Sequence, residues 1–122
     1  MRLPKEIAAF VHAFRGIVQS VRNERHMKIH TAFAAAALVL SVVFRIPAPH
    51  FLLVLLAITL VMSAELMNTA IEKTVDLAMP EQHPLARTAK DAAAGAVLVT
   101  AVFAVIVGLY VFLHPVREWL AI

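Results

Sequence analysis

Four polar residues recur at helical spacing within a largely apolar stretch of the 122-residue chain: Glu65, Asn68, Glu72 and Asp76. On a helical wheel at about 100° per residue, all four fall within a sector of roughly 80°. Carboxylate oxygens are ligands that suit Mg²⁺, and the Asn68 amide can both donate and accept hydrogen bonds. We call these four residues the acidic row, and their types indicate a cation or proton-handling site.

Two interpretations of the acidic row are open from the residues alone. It could be a helix-packing seam or the proton relay of a small transporter or scaffold subunit, because polar side chains do join membrane helices. Against a seam, neighbouring carboxylates repel one another unless a cation joins them. Against a transporter, the third apolar segment carries little polarity beyond Thr100, whereas transporters place polar groups in several spans. Glu24, Lys90 and Asp91 are further candidates for the same site. A basic residue such as Lys90 among carboxylates suits a metal–nucleotide site.

The composition predicts a membrane protein, since 61% of residues are hydrophobic, only 16% are charged and cysteine is absent. The apolar residues form long blocks separated by short polar stretches, as in polytopic membrane proteins. We therefore expect an all-α membrane protein in which residues 1–122 form a single domain. An N-terminal amphipathic surface helix is predicted at about residues 4–22. Three transmembrane helices are predicted at about 24–46, 51–77 and 88–113, with Pro115 ending the last.

The distribution of Lys and Arg predicts the orientation. Six of these residues lie in the first thirty positions, and Lys73, Arg87 and Lys90 flank the second loop. Only Arg45 and Arg117 lie on the other side. The positive-inside rule then places the N-terminus and the acidic end of the second span in the cytoplasm. Basic residues beside membrane segments suit anionic lipid, so we expect the lipid bilayer as a partner and no nucleic acid.

No common nucleotide-binding motif is present, because neither GxxxxGK[ST] nor GxGxxG occurs and the chain has only three glycines. His26 and His30 are four residues apart and could serve a metal. Without an obvious third ligand of that type, an interfacial helix face is the preferred interpretation.

Three segments together resemble the prokaryotic diacylglycerol kinase and undecaprenol kinase family. The segment from Glu65 to Asp76 resembles the family's ExxNxxxExxxD signature, and Ala89-Lys90-Asp91 with the small residues up to Gly95 resembles its second block. Asn23-Glu24-Arg25, followed by Ile29-His30, resembles the block before the first span. The segments occur in the family's order and cover nearly the whole chain.

The resemblance implies a homotrimeric lipid kinase with active sites between subunits at the cytoplasmic side of the inner (plasma) membrane. Such an enzyme transfers the γ-phosphate of Mg-ATP to a lipid hydroxyl, giving phosphatidic acid from diacylglycerol or undecaprenyl phosphate from undecaprenol. ATP is then the co-substrate and Mg²⁺ the cofactor.

The family's functional residues map onto this chain by position. Glu65 matches the general base, Glu24 and Glu72 match the Mg²⁺ ligands, and Asn68, Lys90 and Asp91 match residues around the phosphates. Positions that contact nucleotide in the family are Lys5, His12, Glu81 and His83, and Ala94 occupies a lipid-contacting position. His12 and His30 stand where the best-known branch has a tyrosine and an acid. The Asn-Glu-Arg and Ile-His elements resemble the undecaprenol kinase branch, and either lipid remains possible as substrate.

Overall fold

The computed structural model of the chain describes residues 3–122, which form four helices and no strand. Helix α1 spans Lys5–Asn23 and helix α2 spans Arg25–Val43. Helix α3 spans Ala48–Ala78 and helix α4 spans Pro84–Trp119. Within the described residues, α2, α3 and α4 are long and apolar enough to cross a membrane. The predicted fold class, three spanning helices after a short N-terminal helix, is therefore confirmed.

Helix α1 is amphipathic and lies apart from the core. It begins directly after Pro4, whose backbone is extended, and none of its residues is buried. Its apolar side chains, including Ile7, Phe10 and Phe14, are exposed, as expected for a helix that rests on lipid. The helix ends because Glu24 is extended, with φ −99° and ψ 123°, and α2 begins at the next residue. This break turns the chain from the surface helix into the first span.

Prolines set the helix ends differently from the sequence prediction. Pro49 and Pro84 lie within the first turn of α3 and α4, where a missing N–H costs nothing because those amides have no helical acceptor. Both helices therefore begin earlier than the predicted 51 and 88. The first span is shorter than predicted, since α2 ends at Val43 and Arg45 takes a left-handed turn conformation with φ 51°.

The prediction that Pro115 ends the third span is wrong. Helix α4 continues through Pro115 to Trp119. A proline inside a helix removes one hydrogen bond, to the carbonyl four residues earlier, but later amides can still bond. The last turn is closed by the Leu120 N–H, which donates to the Val116 carbonyl at 3.0 Å. Membrane helices tolerate such a break where local adjustment satisfies the freed carbonyl.

Helices α3 and α4 are antiparallel and pack most tightly at the end remote from the acidic row. There Val54 and Ala57 of α3 and Val107 and Val111 of α4 form the buried core. At the opposite end, Asp76 of α3 contacts Lys90 of α4. The apolar core thus holds the two helices together at one end, and the polar residues meet at the other.

Candidate active site at the polar end of the helices

Glu65 is the most buried acid of the site, with 3% of its surface exposed. It lies a little past the middle of α3, about one turn before Asn68 and the more polar part of that helix. Two histidines of α2 face its carboxylate: His30 Nε2 is 3.5 Å from Oε2, and His26 Nδ1 is 3.9 Å from Oε1. A buried carboxylate needs polar or charged neighbours because water no longer solvates it, and these two imidazoles fill that role.

Asn68 and Glu72 continue the same face of α3. The Asn68 amide Nδ2 donates to Glu72 Oε1 at 3.4 Å, a long hydrogen bond. Asn68 is 6% exposed, and its Oδ1 is the buried side-chain acceptor without a partner in the described part of the chain. Such an orphaned acceptor is costly unless a ligand, ion or water satisfies it. The site therefore has a vacant oxygen ligand beside the Glu72 carboxylate.

Glu24 joins the site from the break between α1 and α2. Its Oε1 is 3.1 Å from Nζ of Lys73, the residue that follows Glu72 on α3. The extended backbone of Glu24 lets its side chain leave the helix axis and reach across to α3. That Glu24 and Glu72 belong to one site stays a prediction, because the contact that Glu24 makes is with Lys73.

Asp76 and Lys90 form an ion pair that connects α3 to α4. Both residues line a cavity of about 530 Å³, whose other walls come from the 79–83 loop and the first turns of α4. Glu81 and His83 also line it, which places these two predicted nucleotide-contacting residues beside Lys90. The cavity is thus polar and open at the end of the helices where the acidic row lies.

The remaining predicted residues have other contacts or are exposed. Asp91 is paired with Arg87 on the exposed side of α4, at 3.3 Å. His83 caps α4, because its Nδ1 accepts a hydrogen bond from the Leu85 N–H at 3.1 Å. Lys5 and His12 are exposed on α1, Ala94 is exposed on α4, and none of these three lines the cavity.

Two residues that face Glu65 are not among the site residues that the sequence predicts. For His26 and His30 the sequence favours an interfacial helix face, whereas in the structure both lie within 4 Å of the Glu65 carboxylate. Their i, i+4 spacing was the available signal, since it places both side chains on one side of α2. The missing information was which side of α2 faces α3.

The donor chemistry of the site suits a hard cation, although residues 3–122 bring together no group of three His, Cys, Asp or Glu side chains with metal-binding geometry. Glu24 and Glu72 offer carboxylate oxygens, and Asn68 Oδ1 has no partner. Mg²⁺ is commonly held by only one or two carboxylates, with water and substrate phosphates completing its shell. Two acids and an amide are therefore sufficient protein ligands for a Mg-nucleotide.

Comparison with known proteins assigns the chain to a family. Residues 11–112 match the model of the prokaryotic diacylglycerol kinase family. The chain belongs to this prokaryotic diacylglycerol kinase family. The matched range contains every site residue discussed above except Lys5.

Curated relatives within this family carry two names. The chain is 48% identical to the undecaprenol kinase of Bacillus subtilis over 105 residues, which cover 86% of this chain and 85% of that protein. It is 38% identical to a diacylglycerol kinase of Synechocystis over 113 residues, covering 92% of this chain and 65% of the relative. Against the diacylglycerol kinase of Escherichia coli K12 the identity is 31% over 100 residues, 82% of each chain.

Family membership establishes the class of activity. The chain is an ATP-dependent lipid kinase, that is, a phosphotransferase with an alcohol group as acceptor. It is also a multi-pass membrane protein. A transporter or scaffold role for the acidic row is not favoured.

Proposed function

We propose that this chain phosphorylates undecaprenol, transferring the γ-phosphate of Mg-ATP to its hydroxyl group. The higher identity to an undecaprenol kinase, 48% against 38% and 31% for two diacylglycerol kinases, supports this substrate. The single structural observation that supports the chemistry is the burial of Glu65 at the junction of the apolar and polar parts of α3. A lipid hydroxyl at that depth can meet a carboxylate base.

Glu65 is the general base in this proposal. It accepts the proton of the lipid hydroxyl while the hydroxyl oxygen attacks the γ-phosphorus, and ADP leaves with the bridging oxygen. Positioned proton transfer of this kind contributes roughly 10²- to 10⁴-fold to a rate. Glu65 lies one and two turns from Asn68 and Glu72 on the same helix, so the base and the phosphate-binding groups share one rigid element.

Glu24, Glu72 and Asn68 bind the metal–nucleotide in the proposal, and Lys90 offsets charge on the phosphates. Bound Mg²⁺ supplies charge neutralisation between phosphate oxygens, the main requirement of phosphoryl transfer. Glu24 and Glu72 would hold it through carboxylate oxygens, and Asn68 Oδ1, which has no partner among the described residues, could accept a hydrogen bond or donate a lone pair to the ion. Lys90 is paired with Asp76 at the wall of the cavity, and in the proposal the phosphates lie in that cavity.

The proposal includes the location of the site, on the cytoplasmic side of the inner (plasma) membrane. The excess of Lys and Arg around α1 and the 79–83 loop supports this side. ATP is available there, and both the cavity and Glu24 lie at that end of the helices.

A homotrimer with intersubunit sites completes the proposal. Within one chain, Lys5 and His12 of α1 lie away from the cavity that Glu81, His83 and Lys90 line. Large apolar side chains of the spans, such as Leu98, Val99 and Val105, are also exposed in the single chain. Contact with a second copy would cover part of this apolar surface and could bring α1 of one copy to the cavity of another.

The proposal is tested with purified protein in lipid nanodiscs, labelled ATP and Mg²⁺, with undecaprenol and diacylglycerol offered separately and in competition. We expect kcat/KM for undecaprenol to exceed that for diacylglycerol by about tenfold or more, a difference near 1.4 kcal/mol in transition-state binding. Preference for diacylglycerol would overturn the substrate and make the chain a diacylglycerol kinase. The matched negative control is Glu65→Gln, which keeps the side-chain shape and removes the base.

A further inference from the structure

Two histidines one turn apart on α2 enclose the carboxylate of Glu65, and each faces a different oxygen. His30 Nε2 is 3.5 Å from Oε2 and His26 Nδ1 is 3.9 Å from Oε1. The three side chains differ sharply in burial: the side chain of Glu65 is 4% exposed, that of His30 is 21% exposed and that of His26 is 72% exposed. The exposure therefore increases from the buried base towards the solvent along α2.

Three basic residues of α3 and α4 are paired with acids other than Glu65. Lys73 is paired with Glu24, and Lys90 is paired with Asp76. Farther along α4, Arg87 is paired with Asp91. Among the described residues, the imidazoles of α2 are thus the basic groups within 4 Å of the Glu65 carboxylate.

A buried general base must lose its proton before the next turnover. Glu65 receives one proton for each lipid phosphorylated, and its own exposure to water is small. Proton exchange with bulk water therefore requires either an opening of the helices or a neighbouring group that accepts the proton. Histidine is suited to accept and release a proton near neutral pH.

We propose that His30 resets the enzyme by accepting the proton from Glu65 and delivering it to water; this rests on the proposed role of Glu65 as base. In the step, the O–H bond of the protonated Oε2 breaks and a new N–H bond forms at Nε2 of neutral His30. The resulting imidazolium releases its Nδ1 proton to water, which leaves the neutral ring protonated at Nε2. Proton exchange of the ring with water then moves the remaining proton to Nδ1, so that Nε2 can accept again in the next turnover. The sum with phosphoryl transfer is lipid alcohol plus ATP giving lipid phosphate, ADP and one proton.

The geometry requires only a small movement. A hydrogen bond between nitrogen and a carboxylate oxygen is usually about 2.7–3.2 Å long, so the 3.5 Å separation of Nε2 and Oε2 must shorten by a few tenths of an ångström. A rotamer adjustment of either side chain supplies that. His26 lies on the solvent side of His30 on the same helix face and marks the direction in which the proton leaves.

The test separates the first turnover from the later ones. In His30→Ala the base is intact, so we expect the first product per active site to form at a rate within about threefold of wild type. Steady-state turnover should fall by about tenfold or more, because resetting Glu65 becomes slow. The progress curve in a rapid-quench experiment then shows a burst of one product per site followed by a slow phase.

Added imidazole provides the decisive readout. Imidazole should accelerate only the slow phase of His30→Ala, in proportion to its concentration, and a series of methylimidazoles should follow their basicity. His30→Gln, which retains polarity and volume, should show the same burst, so that a packing defect of the alanine variant cannot decide the result. His114→Ala, at the other end of α4 and paired with Glu118, is the matched control and should keep wild-type kinetics.

Three results would overturn the role of His30. One is steady-state turnover within about twofold of wild type in both variants. Another is equal slowing of the first and later turnovers, which indicates positioning alone, and the third is a slow phase that imidazole leaves unchanged. Failure of the proposed function gives different results. Wild-type protein would then phosphorylate neither lipid, or the Glu65→Gln variant would retain turnover.

Discussion

Lys73 Nζ lies 3.1 Å from Oε1 of Glu24 and connects the middle of the polar part of α3 to the break between α1 and α2. The ammonium group therefore occupies one oxygen of a carboxylate that we propose as a Mg²⁺ ligand. Because Lys73 is largely exposed and the pair is solvated, its contribution to folding should be below about 1 kcal/mol. Its effect should instead be seen in metal binding.

Removal of the Lys73 charge should tighten Mg²⁺ binding. In Lys73→Met we expect the Mg²⁺ concentration for half-maximal activity to fall by about two- to fivefold, because a competing cation beside Glu24 is lost. Glu24→Gln and Glu72→Gln should raise that concentration by about tenfold or more, since each removes a charged ligand. The measurement is a Mg²⁺ titration at fixed free ATP. Lys28→Met, which removes an exposed charge from α2, is the control, and a raised Mg²⁺ requirement in Lys73→Met would contradict the prediction.

Neutralising Glu65 should abolish chemistry without abolishing nucleotide binding. For Glu65→Gln we expect kcat to fall by about 10²-fold or more, as for loss of a general base. A non-hydrolysable ATP analogue should still raise the midpoint temperature of thermal unfolding of this variant, because the proposed phosphate-binding residues are unchanged. Thr69→Val removes a neighbouring buried polar group from the same helix and should retain activity. A near-normal kcat in Glu65→Gln would show that another group takes the proton.

The Asp76–Lys90 pair should matter for ATP binding more than for stability. Asp76→Asn frees Lys90, and we expect KM for ATP to rise by about three- to tenfold. In a Lys90→Met background the same change should have no further effect, so a double-mutant cycle should show strong coupling. Since the pair is partly exposed, unfolding should change by less than about 1 kcal/mol. Additive effects of the two substitutions on KM for ATP would show that Asp76 does not act through Lys90. The control is Glu118→Gln, which changes an exposed acid at the other end of α4.

Replacement of Pro115 should stabilise the protein without changing its kinase activity. Pro115→Ala restores an N–H within α4 and should raise the free energy of unfolding by about 0.5–3 kcal/mol, the upper end being the cost of proline in a helix interior. Kinase activity should be unchanged, because Pro115 lies at the end of α4 remote from the cavity. The check is unfolding in mixed detergent followed by circular dichroism. Pro84→Ala, at the first turn of the same helix, should give no stabilisation, and equal effects at both prolines would contradict this account.

Local patterns in the chain were sufficient for the architecture. The number of spans follows from apolar length, because a membrane of about 30 Å needs about 20 apolar residues. The shared face of Glu65, Asn68 and Glu72 follows from helical periodicity, and the buried Glu65 and Asn68 agree with it. The predicted bounds, a surface helix to about residue 22 and a first span from about 24, place the helix break next to Glu24, where the structure has it. They do not predict that Glu24 pairs with Lys73 of α3.

Pairing between helices needed the tertiary structure. Periodicity places His26 and His30 on one face of α2, but it gives neither the rotation of α2 about its axis nor its depth relative to α3. Those two quantities are set by packing against the core and by burial around Met27, which has no exposed surface. They decide that two histidines, and not lipid-facing apolar residues, meet Glu65. The sequence by itself therefore determined which residues share a helix face, because that depends on bonds within one helix, whereas the contacts of Glu65 depend on how separate helices pack.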